Sequence, residues 1–465
     1  MVTITLYGGV REIGGNKTLV TDGDTRLFLD FGLSFSRRSL YYQEFLNPRT
    51  HSGVRDLLAL GLIPPLDNLY RDDPVGGVPF SGARPFVDGV LLSHPHADHA
   101  YHVSLIHSDI PIYASEAARR ILAAMAESGQ SNFENEVIEH SYREPGKYQY
   151  EKRRRTVHSV QDGQGFSVGG IEVEPYSVDH SVPGSVGYIL HTSAGLIAYT
   201  GDFRLHGTHP QQTARFLDAL KEVKPRVLII EGTNIDEPTG PTEDDVREGV
   251  QEVLKSYSGH MMFCTFAPRD MYRLTTLYEL ARRAGRQLVV SHKLAHLLSS
   301  LEGCGLSVPG LDDVLVYNPK RRWGIYDEKE YSTWERPYLD RHNAVRCDHL
   351  RRDRGDYLIY LDFFSLGELI DIEPPAGSVM LHSQTEPFNE EMEFDFERLR
   401  NWLNRFGIRY EHAHSSGHIY GDRLREVIQE LSPEVLIPIH TEHPEAFAGL
   451  AQEVLIVEDG EEVVL

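Results

Sequence analysis

The chain has 465 residues, more than one hydrophobic core usually supports, so two domains are expected. Its 40% hydrophobic and 25% charged residues are ordinary for a globular protein, while a formal net charge of −23 counts against a generic, basic nucleic-acid surface. Apolar runs such as Val227-Leu228-Ile229-Ile230 are strand-length and fall well short of the ~20 residues of a membrane-spanning helix, so no membrane association is expected.

The N-terminal MVTITLYGG alternates like a strand and lacks the basic start and apolar core of a secretory signal. Cys264, Cys304 and Cys347 are far apart and odd in number, which suggests neither a disulfide framework nor a thiolate metal site. A cytoplasmic location is expected. A polyanionic substrate would need a locally basic track, for which Lys152-Arg153-Arg154-Arg155, Lys320-Arg321-Arg322 and Arg351-Arg352-Asp353-Arg354 are candidates. The competing reading makes each a solvated loop.

In chain order, residues 2–7, 17–21 and 26–30 read as short strands with Gly and Asp at the turns. A strand from Phe86 to Leu92 runs into the segment Ser93-His94-Pro95-His96-Ala97-Asp98-His99. Ser115 caps a helix to about Ser128, with Gly129 as its stop. Residues 185–191 and 196–200 form a hairpin around Ser193-Ala194-Gly195. From about 225 the pattern becomes strand-helix alternation, which predicts a parallel α/β domain. It runs through strand 226–230, a helix opened by the Thr242-x-x-Asp245 capping pattern, strand 261–266, helix 269–283 and strand 287–291. Strands 357–361 and 378–382, helix 390–405, strand 408–412, helix 422–431 and strand 434–439 continue it. Residues 305–355 carry little periodicity.

The segment 94–99 is the most informative. Imidazole and carboxylate are good ligands for zinc-like ions, and a strand entering a tight loop splays them in different directions. His94 and His96 are suited to one ion, Asp98 and His99 to a second. Further candidates follow at the ends of apolar strands: His180 in Val178-Asp179-His180-Ser181, Asp202 in Thr200-Gly201-Asp202, and His440 after Ile437-Pro438-Ile439. Two divalent cations about 4 Å apart make hydroxide available at neutral pH and polarise a substrate oxygen. This points to hydrolysis of a phosphodiester, ester or amide, and the ligands alone do not choose among these.

The series His-x-His-x-Asp-His, His180 and Asp202 resembles the metallo-β-lactamase superfamily. Asp30, after Leu27-Phe28-Leu29, is similar to its first motif, a structural carboxylate. Glu231 in Ile230-Glu231-Gly232-Thr233, the segment His414-Ser415-Ser416-Gly417-His418 and His440 resemble the β-CASP motifs. The opening Gly8-Gly9-Val10-Arg11-Glu12-Ile13-Gly14 is similar to that of ribonuclease J-like enzymes.

The resemblance implies an α/β fold, an αββα metallo-β-lactamase sandwich with an inserted α/β β-CASP domain. Residues 1–233 and 412–465 would form the sandwich and 234–411 the insert, with the metals in the groove between them. It implies two zinc ions, with manganese as a substitute. His94, His96, His180 and Asp202 would hold one; Asp98, His99, Asp202 and His440 the other. Glu231 would orient a ligand histidine, and His418 would protonate the leaving oxygen. His414 and Ser416 would grip a neighbouring phosphate, with Gly417 permitting close backbone approach. The implied activity is zinc-dependent hydrolysis of single-stranded RNA, 5′-to-3′ exonucleolytic with endonucleolytic cleavage as a second mode, by a protein that forms a homodimer. The alternatives are a phosphodiesterase acting on DNA or a small nucleotide, and a non-catalytic RNA-binding subunit, which the full ligand set disfavours.

The sequence departs from the family at Tyr101-His102, where glycine is common at the first position, and in a long stretch from Ser36 to Gly89. That stretch either forms a lid that stacks bases or packs on the sandwich. The chain ends soon after His440, without the C-terminal domain of larger bacterial ribonucleases J, which bears on the dimer arrangement.

Overall fold

A computed structural model describes residues 1–43, 45–82, 84–129, 133–147, 150–387 and 390–465, with the side chains of 390–391 excepted. The chain divides into two compact units, Met1–Thr239 with Gly417–Leu465, and Gly240–Ser416. The limits expected from the sequence are 233/234 and 411/412.

The first unit is built on two seven-stranded sheets. In one, the strands run Glu462–Val464, Val2–Leu6, Thr18–Asp22, Thr25–Leu29, Gly89–Leu91, Ile112–Ser115 and Val157–Val160. In the other they run Glu453–Val454, Val435–Ile439, Val227–Glu231, Gly195–Tyr199, Val186–Thr192, Ile171–Ser177 and Phe166–Val168. Alternation along each strand decides which layer a side chain enters. Val227 and Ile229 join Ile4, Leu27, Leu29, Tyr188 and Ile437 in a core shared by the two sheets. Their neighbours Leu228 and Ile230 join Phe216, Leu220, Leu424 and Ile428 from helices Pro210–Val223 and Gly421–Leu431. On the outer side of the first sheet, Phe28, Val90 and Ile112 pack with Ala118 and Leu122 of helix Glu116–Ser128. The result is an αββα sandwich.

The stretch 36–89 supplies Val54, Leu57, Leu62, Ile63, Leu69 and Tyr70 to that outer layer, all buried. A buried charged network fastens it. Arg71 donates to Asp73 at 2.5 Å and to the carbonyl of Ser141 at 2.6 Å, while Arg143 donates to Glu136 at 2.9 Å. The guanidiniums of Arg71 and Arg143 both approach the Phe133 ring, 4.7 and 5.2 Å from its centroid. This part of the stretch therefore packs on the sandwich. Exposed Leu40, Tyr41, Phe45 and Leu46 lie ahead of it. Tyr101 opens a short turn, Tyr101–Leu105, and rests on the same outer core.

The second unit holds a seven-stranded parallel sheet in the order Ala344–Val345, Leu315–Tyr317, Gln287–Val290, Tyr357–Tyr360, Met262–Phe266, Val379–Ser383 and Arg409–His412. Its helix Glu243–Ser256 opens with the expected capping box, Thr242 and Asp245 bonding reciprocally. Among the described residues no helix is long and apolar enough to cross a membrane.

Many residues of the basic runs are already occupied. Arg154 pairs with Glu139, Lys320 with Asp371, Arg321 with Glu335, Arg351 with Glu373 and Arg352 with Asp353. Arg155 is buried and donates to the carbonyls of His107 and Ser104.

Candidate metal centre

The loop after strand Gly89–Leu91 carries Ser93 to His96 and turns into a one-turn helix, Ala97–Ala100, so Asp98 and His99 leave from a different backbone direction than His94 and His96. Asp30 organises this loop. It sits just past strand Thr25–Leu29 with φ 57°, a left-handed conformation that Asp tolerates better than most residues. Its fully buried carboxylate accepts from the amide and hydroxyl of Ser93 at 2.7 and 2.6 Å and from the hydroxyl of Tyr199 at 2.6 Å. It also accepts from Nδ1 of His99 at 2.7 Å.

The other histidines are held in the same manner, one ring nitrogen tied and the other turned inward. His180 Nδ1 donates to the carbonyl of Gly417 at 2.7 Å, and its Nε2 lies 3.2 Å from Nδ1 of His96. A Cβ at position 417 would come within 3.0 Å of the His180 ring, so glycine is needed for this approach. His94 Nδ1 meets the Ser93 hydroxyl at 2.9 Å, and its Nε2 is 3.1 Å from His96 Nδ1 and 3.5 Å from Asp202. His440, itself at φ 52°, meets the hydroxyl of Thr233 through Nδ1 at 2.9 Å and approaches Asp98 through Nε2 at 3.3 Å.

Asp202 is the shared member. Its Oδ2 is 3.1 Å from His99, 3.5 Å from His94, 3.7 Å from His440 and 3.9 Å from both His180 and His418. Its Oδ1 is buried without a hydrogen-bond partner among the described residues. Donor atoms within 4.8 Å of one another form the groups His94, His96, His180; His94, His99, Asp202; Asp98, His99, His440; and Asp202, Glu231, His418, His440. All of these residues belong to the first unit.

Glu231 is fully buried at the end of its strand. It accepts from the amide of Phe203 at 3.1 Å and the hydroxyl of Thr233 at 2.7 Å, and faces Nδ1 of His418 at 3.1 Å. Burial opposes charge on His418, but the carboxylates of Glu231 and Asp202 outweigh it and carry its pKa up to about 9. His94 and His180 are pushed the other way, first by burial and then by neighbouring imidazoles, and are neutral. Asp202 stays ionised because His440, His99 and His418 overcome its desolvation.

These residues fit a pair of divalent cations. Imidazole nitrogens 3.1–3.2 Å apart cannot all carry protons toward one another, and an orphaned buried carboxylate oxygen costs about 1–3 kcal/mol unless something answers it. His94, His96 and His180 would hold one ion and Asp98, His99 and His440 the other, with Asp202 between. Ions bound there would supply Lewis acidity and an activated water.

His414 and Ser416 lie in the second unit, where the intervening Ser415 donates to buried Glu243 at 2.7 Å. Glu243 also binds Arg273 at 2.6 Å, and Arg273 in turn donates to Ser383. Gly417 and His418 belong to the first unit. Sequence reasoning missed Thr233, which links Glu231, His418 and His440. It missed Tyr199 on Asp30, and the pair Asp179–Arg204 between the loops of His180 and Asp202. Thr233 adjoins a recognisable acidic motif; the others carry no local signal.

Residues 77–261 match the beta-lactamase superfamily domain. Ribonuclease J of Pyrococcus abyssi is 26% identical over 457 residues, covering 95% of this chain and 90% of that one. Ribonuclease J 1 of Streptococcus pyogenes is 23% identical, covering 100% and 74%. The chain is similar to ribonucleases J along nearly its whole length and carries a beta-lactamase superfamily domain over residues 77–261. A crystal structure of a protein of unknown function from Enterococcus faecalis matches it with a TM-score of 0.77 at 25% identity, each chain covered in full. These similarities indicate a metal-dependent hydrolase, and the His/Asp cluster is its candidate metal site.

Proposed function

We propose that this ribonuclease J-like chain hydrolyses phosphodiester bonds of single-stranded RNA, using two zinc ions or manganese in their place. The reading includes degradation from the 5′ end with internal cleavage as a second mode, a cytoplasmic location and a homodimer. What supports it most is one arrangement: six histidine and aspartate donors converge around Asp202, and His418 stands beside them on Glu231.

In this reading the seven donors His94, His96, Asp98, His99, His180, Asp202 and His440 hold the ions. Glu231 fixes His418 through Nδ1, which leaves Nε2 to carry a proton to the departing oxygen. Thr233 keeps His418 and His440 in step. His414, Ser416 and Gly417 contact a neighbouring phosphate.

The net charge of −23, with the basic runs largely ion-paired, supports a second reading, a smaller phosphodiester or DNA as substrate. Purified protein with zinc or manganese should be given 5′-labelled single-stranded RNA, the matching DNA and a cyclic dinucleotide. Release of 5′-phosphorylated products from RNA alone is expected, with loss of activity in Asp98→Ala/His99→Ala. A steep fall in RNA affinity with salt is expected too, because a long polyanion releases counterions on binding. Preference for DNA or the dinucleotide would replace the ribonuclease reading with the second one. Undiminished RNA cleavage by the double variant would remove the metal site from the account.

A further inference from the structure

The second unit has a pocket of its own, lined by none of the residues assigned above. Its position follows from the order of the parallel sheet. Strand Met262–Phe266 leads through helix Met271–Arg283 to Gln287–Val290 on one side. Its neighbour Val379–Ser383 leads through helix Glu390–Phe406 to Arg409–His412 on the other. Right-handed crossovers then put the two helices on opposite faces, and a crevice opens at the carboxyl ends of the two strands.

A cavity of about 210 Å³ occupies that crevice, reached by Thr265 from one strand and His382 from the other. Its walls are aromatic: Phe363, Phe364 and Phe396 line it, with the Phe396 ring 5.9 Å from that of His382. Thr265, His382, Gln384, Thr385 and Asp395 give it polar edges, and among the described residues no Lys or Arg lines it. His382 is 6% exposed, and its Nδ1 has no hydrogen-bond partner among the described residues. Burial and neighbouring His412 hold this ring neutral, with a pKa lowered to about 4, so it offers one donor and one acceptor.

We propose that this pocket binds a single uncharged nucleobase stacked against one of its phenylalanine rings, with His382 and Gln384 reading the edge of the base. The Asp395 carboxylate, with no Lys or Arg beside it among the described lining residues, disfavours a phosphate. The volume lies below the ~300 Å³ at which pockets for drug-sized ligands begin, which suits one base and not a whole nucleotide. Flat apolar rings favour a planar partner, and a lone neutral histidine favours one with both donor and acceptor on its edge. The ligand class rests on the ribonuclease reading; the site rests on the pocket alone.

The test is a calorimetric titration of the full-length, metal-chelated chain with adenosine, guanosine, cytidine, uridine and, separately, ribose 5-phosphate. At least one nucleoside is expected to bind saturably at one site, and ribose 5-phosphate not at all. Phe364 is 92% exposed, so Phe364→Ala should fold normally and weaken binding about tenfold, the effect of losing one stacking partner. Gln384→Ala should change the preference among the bases. Lack of saturable nucleoside binding, equal binding of ribose 5-phosphate, or wild-type binding in both variants would overturn the proposal. A chain that cleaves RNA but binds no nucleoside loses the pocket only. One that binds a nucleoside but cleaves no RNA loses the ribonuclease reading only.

Discussion

Asp179 and Arg204 meet inside the first unit, carboxylate to guanidinium at 3.4 Å, with both side chains almost wholly buried. Their backbones are joined as well: the Arg204 amide donates to the Asp179 carbonyl at 2.8 Å. Thr213 accepts from the Asp179 amide and donates to the Arg204 carbonyl. The pair thus ties the loop that presents His180 to the loop that presents Asp202. Burial raises the pKa of Asp179 despite the pull of Arg204, so the carboxylate is held at a cost. Arg204→Met, which leaves that charge unpaired, should destabilise the protein by about 3–5 kcal/mol. Asp179→Asn should cost less, since an amide oxygen can still accept from His209. Denaturant midpoints of the two variants, with bound zinc measured in each, check the order.

Asp30 should matter to metal retention without touching a metal. Asp30→Ala removes the acceptor for Ser93, His99 and Tyr199 together. The His99 ring then loses its orientation, and zinc affinity should fall about 10–100-fold. Tyr199→Phe deletes one of these hydrogen bonds and should fall well short of that loss. Competition against a chromophoric chelator gives both numbers.

His418→Ala should separate chemistry from metal binding. The ring is not needed to complete either trio of donors, His94-His96-His180 or Asp98-His99-His440. Zinc content should remain at the wild-type level while RNA hydrolysis drops about 10²–10⁴-fold, the usual contribution of a positioned acid. Zinc analysis beside single-turnover cleavage rates reads both effects on one preparation.

His140 gives the fold a pH dependence remote from the donor cluster. It is buried, and desolvation together with Arg155, Arg71, Arg153 and Arg143 lowers its pKa to about 2. In the unfolded chain an ordinary histidine takes up a proton below about pH 6.5, which the native state refuses. Stability must therefore fall as the pH drops from about 6.5 toward 2, and it is unaffected above that window. Between pH 6.5 and 5.5 the loss from this group is about 1 kcal/mol. Urea unfolding of the chelated protein at those two pH values, beside His140→Gln, should show the variant losing less by that amount.

Much of the fold could be read in advance where a short segment carries its own physics. The capping box at Thr242 and Asp245 lies within four residues and forms as expected. The hairpin around Ser193-Ala194-Gly195 joins two apolar runs by a turn and also forms. Helix Pro210–Val223 was not legible in the same way. Its cap residue His209 makes no side-chain hydrogen bond, and its few apolar anchors, Phe216, Leu217 and Leu220, acquire meaning only against the second sheet. The donors of the site are chemically distinctive and stand at strand ends or in adjoining loops, so types and order sufficed to nominate them. What holds them is different in kind. Tyr199 reaches Asp30 across 169 residues, and Thr233 reaches His440 across 207, contacts fixed by sheet pairing and not by any local pattern. The stretch 36–89 was ambiguous for the same reason: its aromatic and apolar residues read alike until Leu57, Ile63 and Tyr70 are seen inside the outer core and Phe45 outside it.

Asp202 would stand between two cations held by the flanking histidines and Asp98. Anomalous diffraction from crystals of the zinc-loaded protein, recorded on both sides of the zinc absorption edge, tests it most directly. Two peaks should appear beside Asp202, one within bonding distance of His94, His96 and His180, the other of Asp98, His99 and His440. Peaks elsewhere, or none in zinc-saturated crystals, would contradict it.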